Sequence, residues 1–258
     1  MLNLEEILEA YPEPLRKFRR FLLREYLQYK ILEIVFSDSK YANRLCFLGG
    51  TCLRIVHNTN RFSEDLDFDN FGLTESEFED ISHLIIQELG KEGFEVEIRN
   101  VYKGAFRCYI RFPNLLFPLG LSGYREEKIL IQLDTQPQKF NFQPQPFLLQ
   151  KFDVFTEIFV TPPDLLLAQK CYAIINRKRA KGRDFYDAVY LFGKTTPNYE
   201  YLKMKISIHT PAELKQRLLE VCENVSLEEL AEDVKPFLFQ AKDARKVELF
   251  DQYIRQVL

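Results

Sequence analysis

Between Leu45 and Asp69 the chain changes its pattern twice, and few folds accommodate both changes. Leu45–Leu48 is apolar, Gly49-Gly50-Thr51 interrupts it, and from Asp65 to Asp69 carboxylates alternate with Leu66 and Phe68. An apolar run stopped by glycines fits a strand that turns into a helix. Thr51 is placed to cap that helix through His57, because a hydroxyl oxygen satisfies an unpaired N–H of the first turn. Backbone donors at a helix start, with the positive end of the helix dipole, make a seat for phosphate. On a strand, alternation with period two sends Asp65, Asp67 and Asp69 to one face and the apolar pair to the core. Carboxylates hold hard cations, and such cations neutralise charge on attacking and leaving oxygens. Either half alone is common: glycine pairs serve many turns through their backbone freedom, and Asp-x-Asp on a surface strand is ordinarily solvated charge. A phosphate seat followed closely by stacked carboxylates is what magnesium-dependent phosphoryl or nucleotidyl transfer requires.

Gly49-Gly50-Thr51 with Arg61-Phe62-Ser63-Glu64-Asp65-Leu66-Asp67 resembles the first motif of the AbiEii/AbiGii toxin family, within the DNA-polymerase-β-like nucleotidyltransferase superfamily. Further along, Lys170, Arg177, Arg183-Asp184 and Asp187 resemble that family's Lys-x-x-Ala helix and Arg-Asp-x-x-Asp element. The two motifs stand in the family's order, and the likeness covers roughly residues 40 to 192. Asp69 departs from the pattern by adding a carboxylate to the usual pair, so the choice of metal ligands among the three is open, with Asp65 and Asp67 preferred.

The resemblance implies transfer of a nucleoside monophosphate from a nucleoside triphosphate (NTP) to an acceptor hydroxyl, assisted by two Mg²⁺ ions. It implies triphosphate binding by Gly49, Gly50 and Thr51, and phosphate neutralisation by Lys170 with Arg177 or Arg183. Asp184 or Asp187 would complete the site or hold the arginines; Ser63 is expected on a phosphate and Arg61 on a carboxylate. It also implies the toxin of a toxin–antitoxin or phage-defence pair, with a cognate antitoxin, and by analogy RNA such as the tRNA 3′ end as acceptor. A protein or small-molecule acceptor, and a non-catalytic binding protein on the same fold, are the alternatives; the intact carboxylates and Lys170 argue against the last.

Asp134 closes the apolar run Ile129–Leu133, where an unpaired carboxylate would be costly to bury. It either meets solvent and caps a turn, or it is a third metal-binding carboxylate on a strand beside that of Asp65 and Asp67. The superfamily's third carboxylate, on a later strand, matches it by resemblance.

Elsewhere the pattern predicts elements. Residues 15–36 read as a long helix studded with Arg16, Lys17, Arg19, Arg20 and Arg24, either a solvated face or one turned to RNA. Thr74 and Glu77 have capping-box spacing before a helix that stops at Gly90 or Gly93. Strands are expected over 94–99, 105–112 and 128–134, and loops over 113–127 and the glutamine- and proline-rich 136–146. Thr161-Pro162-Pro163-Asp164 reads as the capped start of one helix through Phe192, with Lys170 and Arg177 nearly on one face and a basic cluster from Arg177 to Arg183. Thr210 and Ser226 begin further helices. The fold expected is α/β (α+β): a nucleotidyltransferase core with a mixed sheet flanked by helices over 1–160, then a mostly helical region over 161–258.

Hydrophobic residues at 46% and charged residues at 28% suit a globular protein with a full core. A net charge of −3 excludes a chain that coats nucleic acid, so any such contact needs a local patch. Five scattered cysteines without a Cys-x-x-Cys read as reduced thiols, and three histidines show no ligand spacing. The acidic start and the lack of a spanning apolar run predict a cytoplasmic protein with no membrane partner.

Overall fold

In the computed structural model, which describes residues 2–258, seven strands of the described residues form one mixed sheet. They are β1 (Leu45–Leu48), β2 (Leu66–Asn70), β3 (Glu97–Lys103), β4 (Ala105–Phe112), β5 (Ile129–Thr135), β6 (Gln145–Lys151) and β7 (Val154–Val160), in the order β3-β4-β5-β2-β1-β7-β6. The β2–β5 and β1–β7 pairs are parallel and the rest antiparallel. Helices α1 (Leu4–Glu9), α2 (Arg19–Ser37), α3 (Ser39–Ala42), α4 (Gly49–Ile55) and α5 (Glu75–Lys91) are interspersed with the strands. The rest is helical: α6 (Pro163–Asn176), α7 (Gly182–Phe192), α8 (Tyr199–Ile206), α9 (Pro211–Glu223), α10 (Leu227–Val234), α11 (Arg245–Glu248) and α12 (Phe250–Val257). No helix of the described residues is long and apolar enough to cross a membrane.

The chain divides into two units. The first holds the described residues up to Cys52 and Phe62–Val160, with the whole sheet; the second holds Leu53–Arg61 and Thr161–Leu258. In the first, Phe78, Ile81, Ile85 and Leu89 of α5 are buried, and the Phe78 ring meets Phe106 and Tyr102 at centroid distances of 5.6 and 6.2 Å. The predicted capping box of Thr74 and Glu77 forms, and the chain leaves the helix through Gly93 at φ +91°. In the second, Phe185 of α7 packs edge-on against Phe250 of α12 at 4.8 Å.

Several expectations need correction. The long N-terminal helix begins at Arg19, after a short 3₁₀ turn at Glu13–Leu15, and is buried on nearly every side from Leu22 onward. Arg16, Lys17, Arg19 and Arg20 are exposed, as a solvated face requires, with Arg19 paired to Glu5, Arg20 to Glu127 and the half-buried Arg24 to Glu64, while Arg16 donates to the Tyr11 carbonyl. The loop expected over 136–146 gives way to β6 at Gln145, and the β6–β7 hairpin was not anticipated. Its turn needs Phe152 at φ +58°, which a phenylalanine does not advertise. The single helix expected from Asp164 to Phe192 is two, because Arg177 leaves α6 in extended backbone (ψ 128°). Pro162, not Thr161, is the N-cap of α6.

Candidate active site

The first unit gathers the carboxylates. Asp67 lies opposite Leu48 of β1 and beside Asp134 of β5 in the parallel register, with Leu66 beside Leu133 and Phe68 beside Thr135. Residues level across a ladder share a face on strands about 4.8 Å apart. Asp67 and Asp134 are therefore neighbours on that face, while Leu66, Phe68 and Leu133 are buried. Asp65 precedes β2 by one residue and is half-buried, as are Asp67 and Asp134.

Asp69 has a different environment. It is 1% exposed, and its Oδ1 accepts the Gln138 backbone N–H at 2.8 Å, tying the segment after β5 to the sheet. Burial and this backbone bond separate it from Asp65 and Asp67.

The glycine motif acts on Asp67 directly. Gly49 opens α4 at φ +79°, and a Cβ there would collide with Asp67 Oδ2 and lie 2.9 Å from the Asp67 Cβ and Cγ. Only glycine tolerates both the backbone angle and this approach. Gly50 follows it in α4. Thr51 does not cap the helix as expected: it lies inside α4, fully buried, and its Oγ1 donates to the Asp65 carbonyl. Its hydroxyl thus anchors the backbone that presents the first carboxylate. From α2, Gln28 Nε2 donates to the carbonyls of Ser63 (3.1 Å) and Glu64 (2.9 Å), and Arg24 Nη1 holds Glu64 Oε1 at 2.7 Å. Buried polar groups on α2 thereby fix the segment leading to Asp65.

Asp134 accepts from Gln132 Nε2 at 2.7 Å and faces Arg107 Nε across 3.4 Å. Its Oδ1 is buried with no hydrogen-bond partner among the described residues. Burial pushes its carboxyl above the ordinary range, against the Gln132 bond and the Arg107 charge. These residues suit a divalent cation: adjacent carboxylates, an oxygen lacking a hydrogen bond, and a missing Cβ that leaves room at Asp67. Among the described residues no group of three or more Asp, Glu, His or Cys is placed to hold a metal ion by itself. Magnesium does not require one, since it keeps several waters and takes one or two carboxylates plus substrate phosphate oxygens.

The second unit holds the other motif as a buried ion network. Arg61, 1% exposed, grips Asp187 through Nε–Oδ1 at 2.7 Å and Nη2–Oδ2 at 2.6 Å. Lys170 Nζ lies 2.9 Å from Asp187 and 3.0 Å from Asp184, whose other oxygen meets Arg177 Nε at 3.3 Å. Burial pulls the Lys170 ammonium down, but Asp187 and Asp184 outweigh it and hold it above its ordinary value. Burial likewise pushes the Asp187 carboxyl up, and Arg61 with Lys170 reverse this and hold it low. Arg183 places its guanidinium 4.7 Å from the Phe237 ring centroid. Gly182 opens α7 with its N–H donating to Asp233 Oδ2 at 2.9 Å, and a Cβ there would collide with the Leu230 carbonyl of α10.

Gln28, Arg107 and Gln132 carry no signal in the sequence, and Arg24, expected on a solvated or RNA-facing side, holds Glu64 instead. Only strand register could reveal Arg107, by setting the outward residues of β4 against Asp134.

Comparison with known proteins supplies a family and a fold relative. Residues 30–255 match the model of a family described as "Nucleotidyl transferase AbiEii toxin, Type IV TA system". No curated protein matches the chain in sequence. An inferred nucleotidyltransferase of H. pylori, known from its crystal structure, superposes with a TM-score of 0.55 at 17% identity, covering 92% of this chain and 95% of the other. At that identity the likeness speaks for the fold.

Proposed function

Because the chain belongs to the AbiEii family of nucleotidyl transferase toxins of type IV toxin–antitoxin systems, we propose that it moves a nucleoside monophosphate from an NTP to an RNA hydroxyl, such as the tRNA 3′ end. The observation that carries this reading is the level pairing of Asp67 with Asp134, flanked by Asp65. Asp65, Asp67 and Asp134 would hold Mg²⁺, together with water and substrate oxygens. When bound, magnesium neutralises charge on the triphosphate and on the departing pyrophosphate.

The chain's own residues supply the positioning. Gly49 leaves room for Asp67 and, with Gly50, offers backbone to the triphosphate; Thr51 and Gln28 hold the backbone before β2. The acceptor oxygen attacks the α-phosphorus, the α–β bridging bond breaks, and pyrophosphate leaves with that electron pair. The acceptor proton goes to Asp134, which stands level with Asp67 on the same face of the sheet. Ser63 contacts phosphate; within the second unit Asp184 and Asp187 fix Lys170, and Asp184 also meets Arg177. Arg61 serves as the framework partner of Asp187. A cognate antitoxin restrains the activity in the cell.

The test is incubation with magnesium, each α-labelled NTP in turn, and total RNA or total protein. Label in RNA supports the reading, label in protein moves the acceptor to the other class, and no label with any acceptor contradicts transfer.

A further inference from the structure

In the first unit the half of the sheet beyond β2 has two unlike faces. One packs against α5 through Cys108, Ile110 and Phe112, all fully buried. The other carries Asp134 level with Arg107, Gln132 level with Tyr109, and Leu130 level with Arg111 across β5–β4. Across β4–β3, Tyr109 stands level with Arg99, so that arginine extends the same face to the sheet edge.

The charge of this face is uneven. Its two carboxylates are already matched, Glu97 by Lys128 at 2.8 Å and Asp134 by Arg107 at 3.4 Å. Arg99 is exposed and Arg111 half-buried, and among the described residues neither has a carboxylate within 4.0 Å. Arg111 stands over the half-buried Tyr109 ring at 5.8 Å and level with Glu97 of β3, so this cation and ring form one platform, with the exposed Arg99 level with Tyr109 on its other side. In a chain of net charge −3 this is a local basic patch, and its rows end on the Asp67–Asp134 pair. From Asp134 back to Leu130 the strand runs about 13 Å, and the loop leaving that end carries Tyr124, 77% exposed, next to Arg125.

Cations that track a backbone and aromatic rings that stack bases are the two requirements for holding a single strand of nucleic acid. We infer that the outward face of β3–β4–β5 is the platform for the acceptor strand: Arg99 and Arg111 hold phosphates and Tyr109 stacks a base. The 3′ end then runs along β5 to the carboxylate row. This rests on the RNA-acceptor reading above and deepens it by assigning the acceptor its surface.

Fluorescence anisotropy with a short labelled single-stranded RNA, without NTP or magnesium, tests the platform separately from the chemistry. The R99A/R111A double variant should bind about tenfold or more weakly, with the slope of log K against log salt reduced by about 1.4, or 0.7 for each lost phosphate contact. Tyr109→Ala should bind about tenfold more weakly with an unchanged slope. R99K/R111K should recover most of the affinity, and circular dichroism should be the same for all variants. Unchanged RNA affinity and slope in the double variant, no RNA binding by the wild type, or a raised KM for NTP alone would each overturn the platform. If RNA binding is lost as expected but the wild type labels no acceptor, the platform stands and the transfer reading fails. If the wild type labels RNA and the double variant does so with unchanged KM for RNA, the platform fails and transfer stands.

Discussion

Asp187 is fully buried and engages both Arg61 and Lys170, so its charge cannot be removed without leaving two buried cations short of a partner. Breaking a buried pair from one side costs about 3–5 kcal/mol, and Asp187→Asn should lower stability by about that much in chemical denaturation. The pH dependence has a defined sign. The depressed Asp187 carboxyl contributes stability that is complete above its ordinary value of 3.8 and is lost as the pH falls through its lowered one. The raised Lys170 ammonium contributes stability that is complete below 10.5 and is lost as the pH rises through its elevated value. The acid limb of the wild-type stability curve should therefore be steeper than that of Asp187→Asn by about one proton. Gly49 makes a second residue-scale case. Gly49→Ala adds a methyl group where Asp67 stands, and a displacement near 1 Å costs about a hundredfold in rate. Steady-state kinetics should show that loss in kcat while RNA affinity is unchanged.

At the scale of elements, local patterns identify an element where one signal suffices. β1 was visible as an apolar run, β4 as alternation, and α5 as a capping box ahead of an apolar stripe. The α6–α7 break was not visible, because nothing between Asn176 and Lys181 is a helix breaker by type. The fold supplies a physical reason: Lys170 on α6 and Arg177 just beyond it both meet Asp184 of α7. Gly182 then lets α7 approach α10, and Gly182→Ala should cost about 1–3 kcal/mol by overpacking against the Leu230 carbonyl, measured by thermal melting. Pairings distant in sequence were equally hidden. Arg61 and Asp187 are 126 residues apart, and spacing carries no trace of their bidentate bond. Arg107 was unreadable for the same reason, since its meeting with Asp134 depends on the register of β4 with β5.

Over the whole molecule, a net charge of −3 coexists with a sheet face on which Arg99 and Arg111 have no carboxylate partner among the described residues. Net charge reports on bulk behaviour and says nothing of such a patch. The family's first motif likewise divides between the units: Arg61 belongs to the second with Asp187, and Ser63 to Asp67 belong to the first. Its residues are neighbours in sequence but separate in task, with framework on one side of Phe62 and the carboxylates proposed to hold metal on the other. The most direct measurement of the central claim is transfer of α-labelled NTP to RNA by the wild type, Asp67→Asn and Asp134→Asn, with magnesium and with chelator, alongside melting curves. Label should appear with the wild type in magnesium alone, and each variant should lose about a thousandfold or more in rate while melting within a few degrees of the wild type. Sustained labelling by either variant, or by the wild type in chelator, would contradict a metal site built on the Asp67–Asp134 pair.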